Sequence, residues 1–317
     1  MTSASGGRIE WAQLPREVRR AVESILGDTV VAASSQSGGF SPGTADRVRT
    51  AGGGRAFVKA VSAARNEQSV VMHRREGRVT AAMPGWAPVP ELLGRVDDGD
   101  WVALVLRDVE GRHPRTPWRS AELRKILAVL DAFAARATPA ALPDSRTAQE
   151  MFAEDFGGWR RIAADPPPGL DPWVAGHLDE LRASADRALA VLDGDTLVHT
   201  DLRADNILCG ADGTVTLIDW PSACRGPSWL DSLLLLINVA LHGGHDMHTL
   251  LLGRADAHSA PVEDLLSVLA AMTGFFADAA RCPPPPGLPT LRAFQWKQAE
   301  AGLAWLRAEA ELTGLPG

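Results

Sequence analysis

Tyrosine is absent from this 317-residue chain, and lysine occurs only three times, as Lys59, Lys125 and Lys297. No tyrosine can therefore carry a phosphate, and nearly all the positive charge is arginine. Cys209, Cys224 and Cys282 show neither CxxC spacing nor a neighbouring histidine cluster. This argues against a disulfide framework and a thiolate zinc site, and the three read as ordinary reduced thiols. The most apolar run, 233–241, is far shorter than the roughly 20 residues a membrane-crossing helix needs. The opening MTSASGG lacks the basic stretch and apolar core of a signal peptide. A net charge of −7 argues against a nucleic-acid binder, which needs a basic stripe to meet phosphates. The expectation is a soluble, cytoplasmic globular protein with no nucleic-acid partner and no membrane. A lysine in so arginine-rich a chain marks a place where a compact ammonium is wanted.

Residues 8–27 have apolar positions at helical spacing, which predicts an amphipathic helix closed by Gly27. From 29 to 61, short apolar runs alternate with Gly- and Ser-rich turns. This predicts three strands, with a loop at 35–43 and a hairpin turn at 52–54. A helix is expected over 65–83, then strands near 91–96 and 101–106 joined by the DDGD turn. Beyond residue 114 the pattern is mainly helical, over 119–137, 172–192, 228–242, 261–280 and 290–312. The exception is a patch at 196–219, where short apolar runs flank a polar loop and a Gly213 turn. The fold class is α+β, a small sheet lobe followed by a larger helical one.

That patch carries the chemistry. It holds H-x-D-x-x-x-x-N as His199, Asp201 and Asn206, and Asp219 follows thirteen residues later in an apolar LIDW. Phosphoryl transfer needs the acceptor hydroxyl held in line, its proton accepted and the phosphate charge neutralised by magnesium. An Asn amide oxygen and an Asp carboxylate are the hard oxygen donors magnesium takes. Asp201 can stand on the same loop facing the acceptor. Each of these residues alone is an ordinary turn former; the spacing and the apolar flanks distinguish the set.

HTDLRADNIL followed by LIDW resembles the catalytic and metal loops of the aminoglycoside phosphotransferase family, whose protein-kinase-like fold is shared with choline and fructosamine kinases. The resemblance extends over most of the chain. It implies a bilobal fold: an antiparallel-sheet nucleotide-binding lobe over 1–107, a hinge over 108–113, and a mainly helical catalytic and substrate-binding lobe over 114–317. It implies Asp201 as catalytic base, Asn206 and Asp219 as Mg2+ ligands, ATP or GTP as donor, and His199 as an architectural residue. Lys59, in AFVKAV, matches the strand lysine that pairs with the nucleotide phosphates. Its helix partner is Glu76, with Glu67 as the alternative.

The segment Ser37, Gly38, Gly39, Phe40 and Ser41 lies where a phosphate-covering loop belongs, although a plain hairpin turn has the same composition. It is neither G-x-G-x-x-G nor a Walker A loop. Leu106 and Asp108 fall in the connector whose backbone meets the purine edge. Arg203 either supplies transition-state charge or is a surface arginine. Asp231 either buttresses the catalytic loop or caps its helix.

The chain departs from the family pattern at Thr200, where glycine is usual, and at Trp220. Only about nine residues separate Asp219 from Trp229, and no Ala-Pro-Glu follows, so no activation segment fits there. The expectation is a small-molecule O-phosphotransferase moving a nucleotide γ-phosphate to a substrate hydroxyl with Mg2+, antibiotic modification being one role. The alternatives are a kinase-like nucleotide-binding protein without phosphotransfer, and a metabolite kinase of choline, homoserine or sugar type. Glu154, Asp155, Glu263, Asp264 and Glu300 either meet a polyamine or are solvated helix faces.

Overall fold

The computed structural model describes residues 8–36, 42–142, 144, 146–285 and 288–313. Helices α1 (Arg16–Leu26) and α2 (Glu67–Ala82) accompany strands β1 (Val30–Ser35), β2 (Thr44–Thr50), β3 (Arg55–Ser62), β4 (Leu92–Asp97) and β5 (Trp101–Arg107). Next come α3 (Ser120–Arg136), α4 (Ala148–Phe152), α5 (Gly158–Ala164), α6 (Pro172–Gly176), α7 (Leu178–Val191), β6 (Thr196–Val198), β7 (Ile207–Cys209), β8 (Val215–Leu217) and β9 (Cys224–Gly226). Helices α8 (Leu230–His242), α9 (Met247–Ala257), α10 (Val262–Ala280) and α11 (Leu291–Thr313) complete the chain. The chain divides into two compact units.

The first unit combines 8–114 with 205–222. Its sheet has the order β1-β2-β3-β5-β4, every neighbour antiparallel. Alternation along β3 buries Ala56, Val58 and Ala60 against Val18 and Val22 of α1, with Trp11 and Leu14 in the same cluster. Helix α2 starts at Asn66, whose side chain accepts the Ser69 N–H at 2.7 Å. A Cβ at Gly77 would stand 2.8 Å from Leu104, so glycine there lets α2 lie close on β5. The β7–β8 hairpin belongs to this unit, and Leu217 N–H bonds the Pro88 carbonyl at 2.7 Å.

The second unit, 115–204, 223–285 and 289–313, is mainly helical. Its α8 is apolar nearly all round and buried from Leu230 to Val239, as such a helix must be. The β6–β9 pair joins Val198 to Cys224 and presents the loop that begins at His199. Among the described residues, no helix is long and apolar enough to cross a membrane.

Three expectations change in detail. The single helix over 8–27 is instead a 3₁₀ turn at Trp11–Gln13 and a helix starting after Pro15. Proline holds the residue before it extended, and Leu14 has ψ 146°. The 172–192 helix is two helices, interrupted at His177. Helices α4, α5 and α9 had no counterpart in the sequence reading.

Candidate active site

Within the first unit, Lys59 lies on β3 between the buried Val58 and Ala60. Its Nζ is 2.6 Å from Glu76 Oε2 and 2.8 Å from Asp219 Oδ1. Burial alone would push the ammonium down, but Asp219 and then Glu76 outweigh it and hold Lys59 above its ordinary range. Burial pushes the Glu76 carboxyl up, against the pull of Lys59. Glu67, the alternative partner, is exposed in the first turn of α2. Arg75 Nη1 donates to the Pro221 carbonyl at 2.5 Å, which ties α2 to the segment after Asp219.

Asp219 follows β8 with φ 70°, a left-handed conformation that Asp tolerates better than most residues. Ile218 N–H donates to the Asn206 carbonyl at 3.0 Å, so Asn206 and Asp219 share one end of the β7–β8 hairpin. The Asn206 side chain is buried, and Trp220 beneath donates its indole N–H to Leu217 at 3.0 Å. An amide oxygen and a carboxylate together fit magnesium, which takes one or two protein oxygens and fills the rest with phosphate and water.

His73, one turn before Glu76, is also buried. Its Nδ1 is 2.9 Å from the Ser69 carbonyl, and its Nε2 has no hydrogen-bond partner among the described residues. Burial and then the Lys59 charge push it down to about 3, so the ring is neutral.

Leu106 is the next-to-last residue of β5, opposite Phe57. Asp108 turns its carboxylate toward the sheet, 2.8 Å from Arg47 Nε and 2.7 Å from Arg55 Nη2. Only the backbone at 108 is left for a ligand. Ser37, Gly38, Gly39, Phe40 and Ser41 lie outside the described residues.

Within the second unit, the segment from His199 to Ala204 is suspended from α8. Asp231 accepts the His199 N–H at 2.8 Å and the Thr200 N–H at 2.9 Å. Asn238, two turns along, accepts the Ala204 N–H at 3.2 Å. His199 is fully buried, and its Nδ1 accepts the Asp201 N–H at 3.2 Å, an architectural arrangement. Burial pushes the Asp231 carboxyl up, while His199 and the two N–H groups oppose that.

The Asp201 side chain is 43% exposed and its Oδ1 is 3.1 Å from Arg203 Nη1. Arg203 is only 16% exposed and lies 5.6 Å over the Phe294 ring. It is therefore a held residue and not a free surface arginine. Of the acidic helix residues, Asp264 pairs with Arg187 at 2.6 Å, and burial with Glu154 pushes Asp155 up to about 6.

Sequence reasoning missed His73, Arg75, Asn238 and Phe294. Asn238 alone had a visible signal, as a lone amide in the apolar run of α8.

A profile of the phosphotransferase enzyme family (APH) matches residues 37–247. No curated protein sequence matches the chain. Among solved structures, an aminoglycoside phosphotransferase from Alicyclobacillus acidocaldarius subsp. acidocaldarius DSM 446 is 19% identical. The likeness covers 94% of this chain and 96% of that one, with TM-score 0.52. A thermostable mutant of aminoglycoside phosphotransferase APH(4)-Ia, in ternary complex with AMP-PNP and hygromycin B, is 16% identical over 95% of this chain and 100% of that one, with TM-score 0.60. Macrolide 2'-phosphotransferase MphH from Brachybacterium faecium is 15% identical over 92% and 98%, with TM-score 0.54. At these identities the likeness is one of fold.

Proposed function

The chain belongs to the phosphotransferase enzyme family, and from that premise we propose that it moves the γ-phosphate of ATP or GTP onto a hydroxyl of a small molecule. The observation that carries the proposal is Lys59, charged and held between Glu76 and Asp219. A buried ammonium with two carboxylates is poised to exchange one of them for phosphate oxygens. In this reading 1–107 forms the nucleotide lobe, 108–113 the hinge, and 114–317 the catalytic and acceptor lobe.

Lys59, oriented by Glu76, meets the α- and β-phosphates. The segment 37–41 covers the phosphates, and the backbone at Leu106 and Asp108 meets the purine edge. Magnesium, held by Asn206 and Asp219, supplies charge neutralisation at the phosphates. Asp201 accepts the acceptor hydroxyl proton, and its exposed carboxylate suits that task. Arg203 orients Asp201 and adds positive charge beside it.

The short stretch between Asp219 and Trp229 favours a small acceptor over a protein one. The names of the aminoglycoside and macrolide enzymes make a hydroxylated antibiotic the acceptor class we propose. A nucleoside triphosphate donor fits the cytoplasmic setting we propose for the reaction.

The test is release of ADP or GDP by the purified chain across a panel of hydroxylated antibiotics and metabolites, with mass spectrometry for the added phosphate. Acceptor-dependent release and a phosphorylated product support the proposal. Magnesium-nucleotide binding with no acceptor-dependent release would instead identify a nucleotide-binding protein without phosphotransfer.

A further inference from the structure

Two rows of paired residues cross the face of the sheet that carries Lys59. One is Ala45, Lys59 and Leu104, on β2, β3 and β5; the other is Arg47, Phe57 and Leu106, one step nearer the connector. Residues paired across antiparallel strands share a face, and so do residues two apart on one strand. Arg47 therefore stands on the Lys59 side of the sheet, opposite the face that buries Val58 and Ala60 against α1.

From there Arg47 holds the connector at two points. Its Nε lies 2.8 Å from Asp108 Oδ1, a charge contact not aligned as a hydrogen bond, and its Nη2 donates to the Val109 carbonyl. Arg55, at the start of β3, takes the other Asp108 oxygen through Nε at 2.9 Å and Nη2 at 2.7 Å, and pairs with Glu110. The Asp108 side chain is only 3% exposed, whereas the residue as a whole is half-buried, so what it shows to solvent is main chain. Asp108 comes four residues after Leu104, the partner of Lys59, which is roughly 13 Å at strand rise. That is comparable with the reach of a nucleotide from its purine edge to its β-phosphate.

We propose that Arg47 is a positioning residue for the purine end of the nucleotide site, fixing the backbone at 108 and 109 from the sheet. This inference rests on the nucleotide-dependent function proposed above and adds to it the residue that sets the connector. Arginine suits the task because one planar fork reaches a carboxylate and a neighbouring carbonyl at once, which a compact ammonium does less well. Backbone groups that read a purine work only at hydrogen-bond distance. A connector released from Arg47 loses purine contacts, while the phosphate contact at Lys59 stays in place.

Titration calorimetry on the whole chain tests this with Mg-ATP, adenosine and tripolyphosphate; GTP and guanosine replace the first two if the wild type prefers them. Arg47→Met keeps the apolar stem and removes both contacts. Nucleoside and Mg-nucleotide affinity should then fall by the same factor, about tenfold for a lost charged contact, with tripolyphosphate binding at the wild-type level. Arg55→Met, which leaves Val109 held, should cost less. Unaltered nucleoside affinity in Arg47→Met overturns the inference, as does an equal loss for tripolyphosphate, which would mark a general packing role. If Arg47→Met did not fold, Asp108→Asn, which loosens the same pair, carries the test with the same two readings. If the wild-type chain bound neither nucleotide, the phosphotransfer reading would fall first and this inference with it. Tight wild-type binding that Arg47→Met retains in full removes this inference alone.

Discussion

Asp231 holds the Thr200 N–H at 2.9 Å while Thr200 sits at φ 66°, in the left-handed region. A β-branched residue is poorly suited to that region, and the conformation costs roughly 1–2 kcal/mol. The second carboxylate oxygen of Asp231 takes the His199 N–H, so one buried side chain fixes two successive peptide groups just before Asp201. The glycine usual in the resembling family would reach the same backbone without the cost. The strain at 200 is thus a peculiarity of this residue, and the acceptor at 231 is the structural requirement.

Replacing Thr200 with glycine should therefore leave kcat close to that of the wild type. Relief of strain, about 1 kcal/mol, is offset by loss of a partly packed methyl and of the hydroxyl contact to Met151 Sδ at 3.3 Å. Thermal melting should move by only a few degrees, on the order of what 1 kcal/mol produces. A large fall in kcat in this variant would show that the Thr200 hydroxyl takes part in the reaction.

Asp231→Ala should behave in the opposite way. It strands two buried N–H groups, each costing about 1–3 kcal/mol. Denaturant unfolding should show the loss, and kcat should fall more than nucleotide KM rises, because the displaced residue is Asp201. An intact kcat would mean that the loop is held by Asn238 and His199 alone.

Much of the site was legible because it is local in sequence. His199, Asp201 and Asn206 fall within eight positions, and the loop they occupy is bounded by β-type apolar runs. Lys59 stood out by rarity and by its alternating strand. Glu76 was chosen over Glu67 as the helix partner, and it is the buried Glu76 that pairs with Lys59 at 2.6 Å. Arg203 was left open because its cover, Phe294, comes from α11, a long way along the chain. The short helices α4, α5 and α9 escaped because a helix of one to three turns has too few apolar repeats to show a period. Pro15 and His177 broke helices whose periodicity ran straight through them.

The ion pair of Lys59 with Glu76 and Asp219 makes its own stability prediction. Lys59→Ala leaves two carboxylates without their cation, and breaking a buried pair in this way costs about 3–5 kcal/mol. The double variant Lys59→Met, Glu76→Leu should recover much of that stability in urea unfolding while remaining inactive. Recovery of activity along with stability would refute a phosphate-binding role for Lys59.

His73 gives the pH dependence. Its folded-state value of about 3 lies below its ordinary 6.5, so the unfolded chain binds its proton first as pH falls. The stability it contributes is therefore full above about pH 6.5 and lost progressively as pH drops toward about 3. His73→Gln lacks that loss. Relative to wild type, its melting temperature should rise steadily as pH is lowered from about 7 to about 4. A constant difference across that range would place a charged ring at position 73.

Asp201 and Asp219 are both loop aspartates, and their isosteric variants should fail differently. Asp201→Asn keeps the size of the side chain but cannot accept the hydroxyl proton, so kcat should fall by about 10²–10⁴ with Mg-nucleotide binding retained. Asp219→Asn removes a hard anionic donor and one partner of Lys59. Mg-nucleotide affinity should therefore drop, and calorimetry with and without magnesium should show the difference between the two conditions shrinking. In the wild type the ammonium is shared between two carboxylates; in Asp219→Asn it rests on Glu76 alone, so metal-free nucleotide should bind nearly as well as before. The two residues would have to exchange roles if Asp201→Asn lost the magnesium dependence of binding and Asp219→Asn kept it.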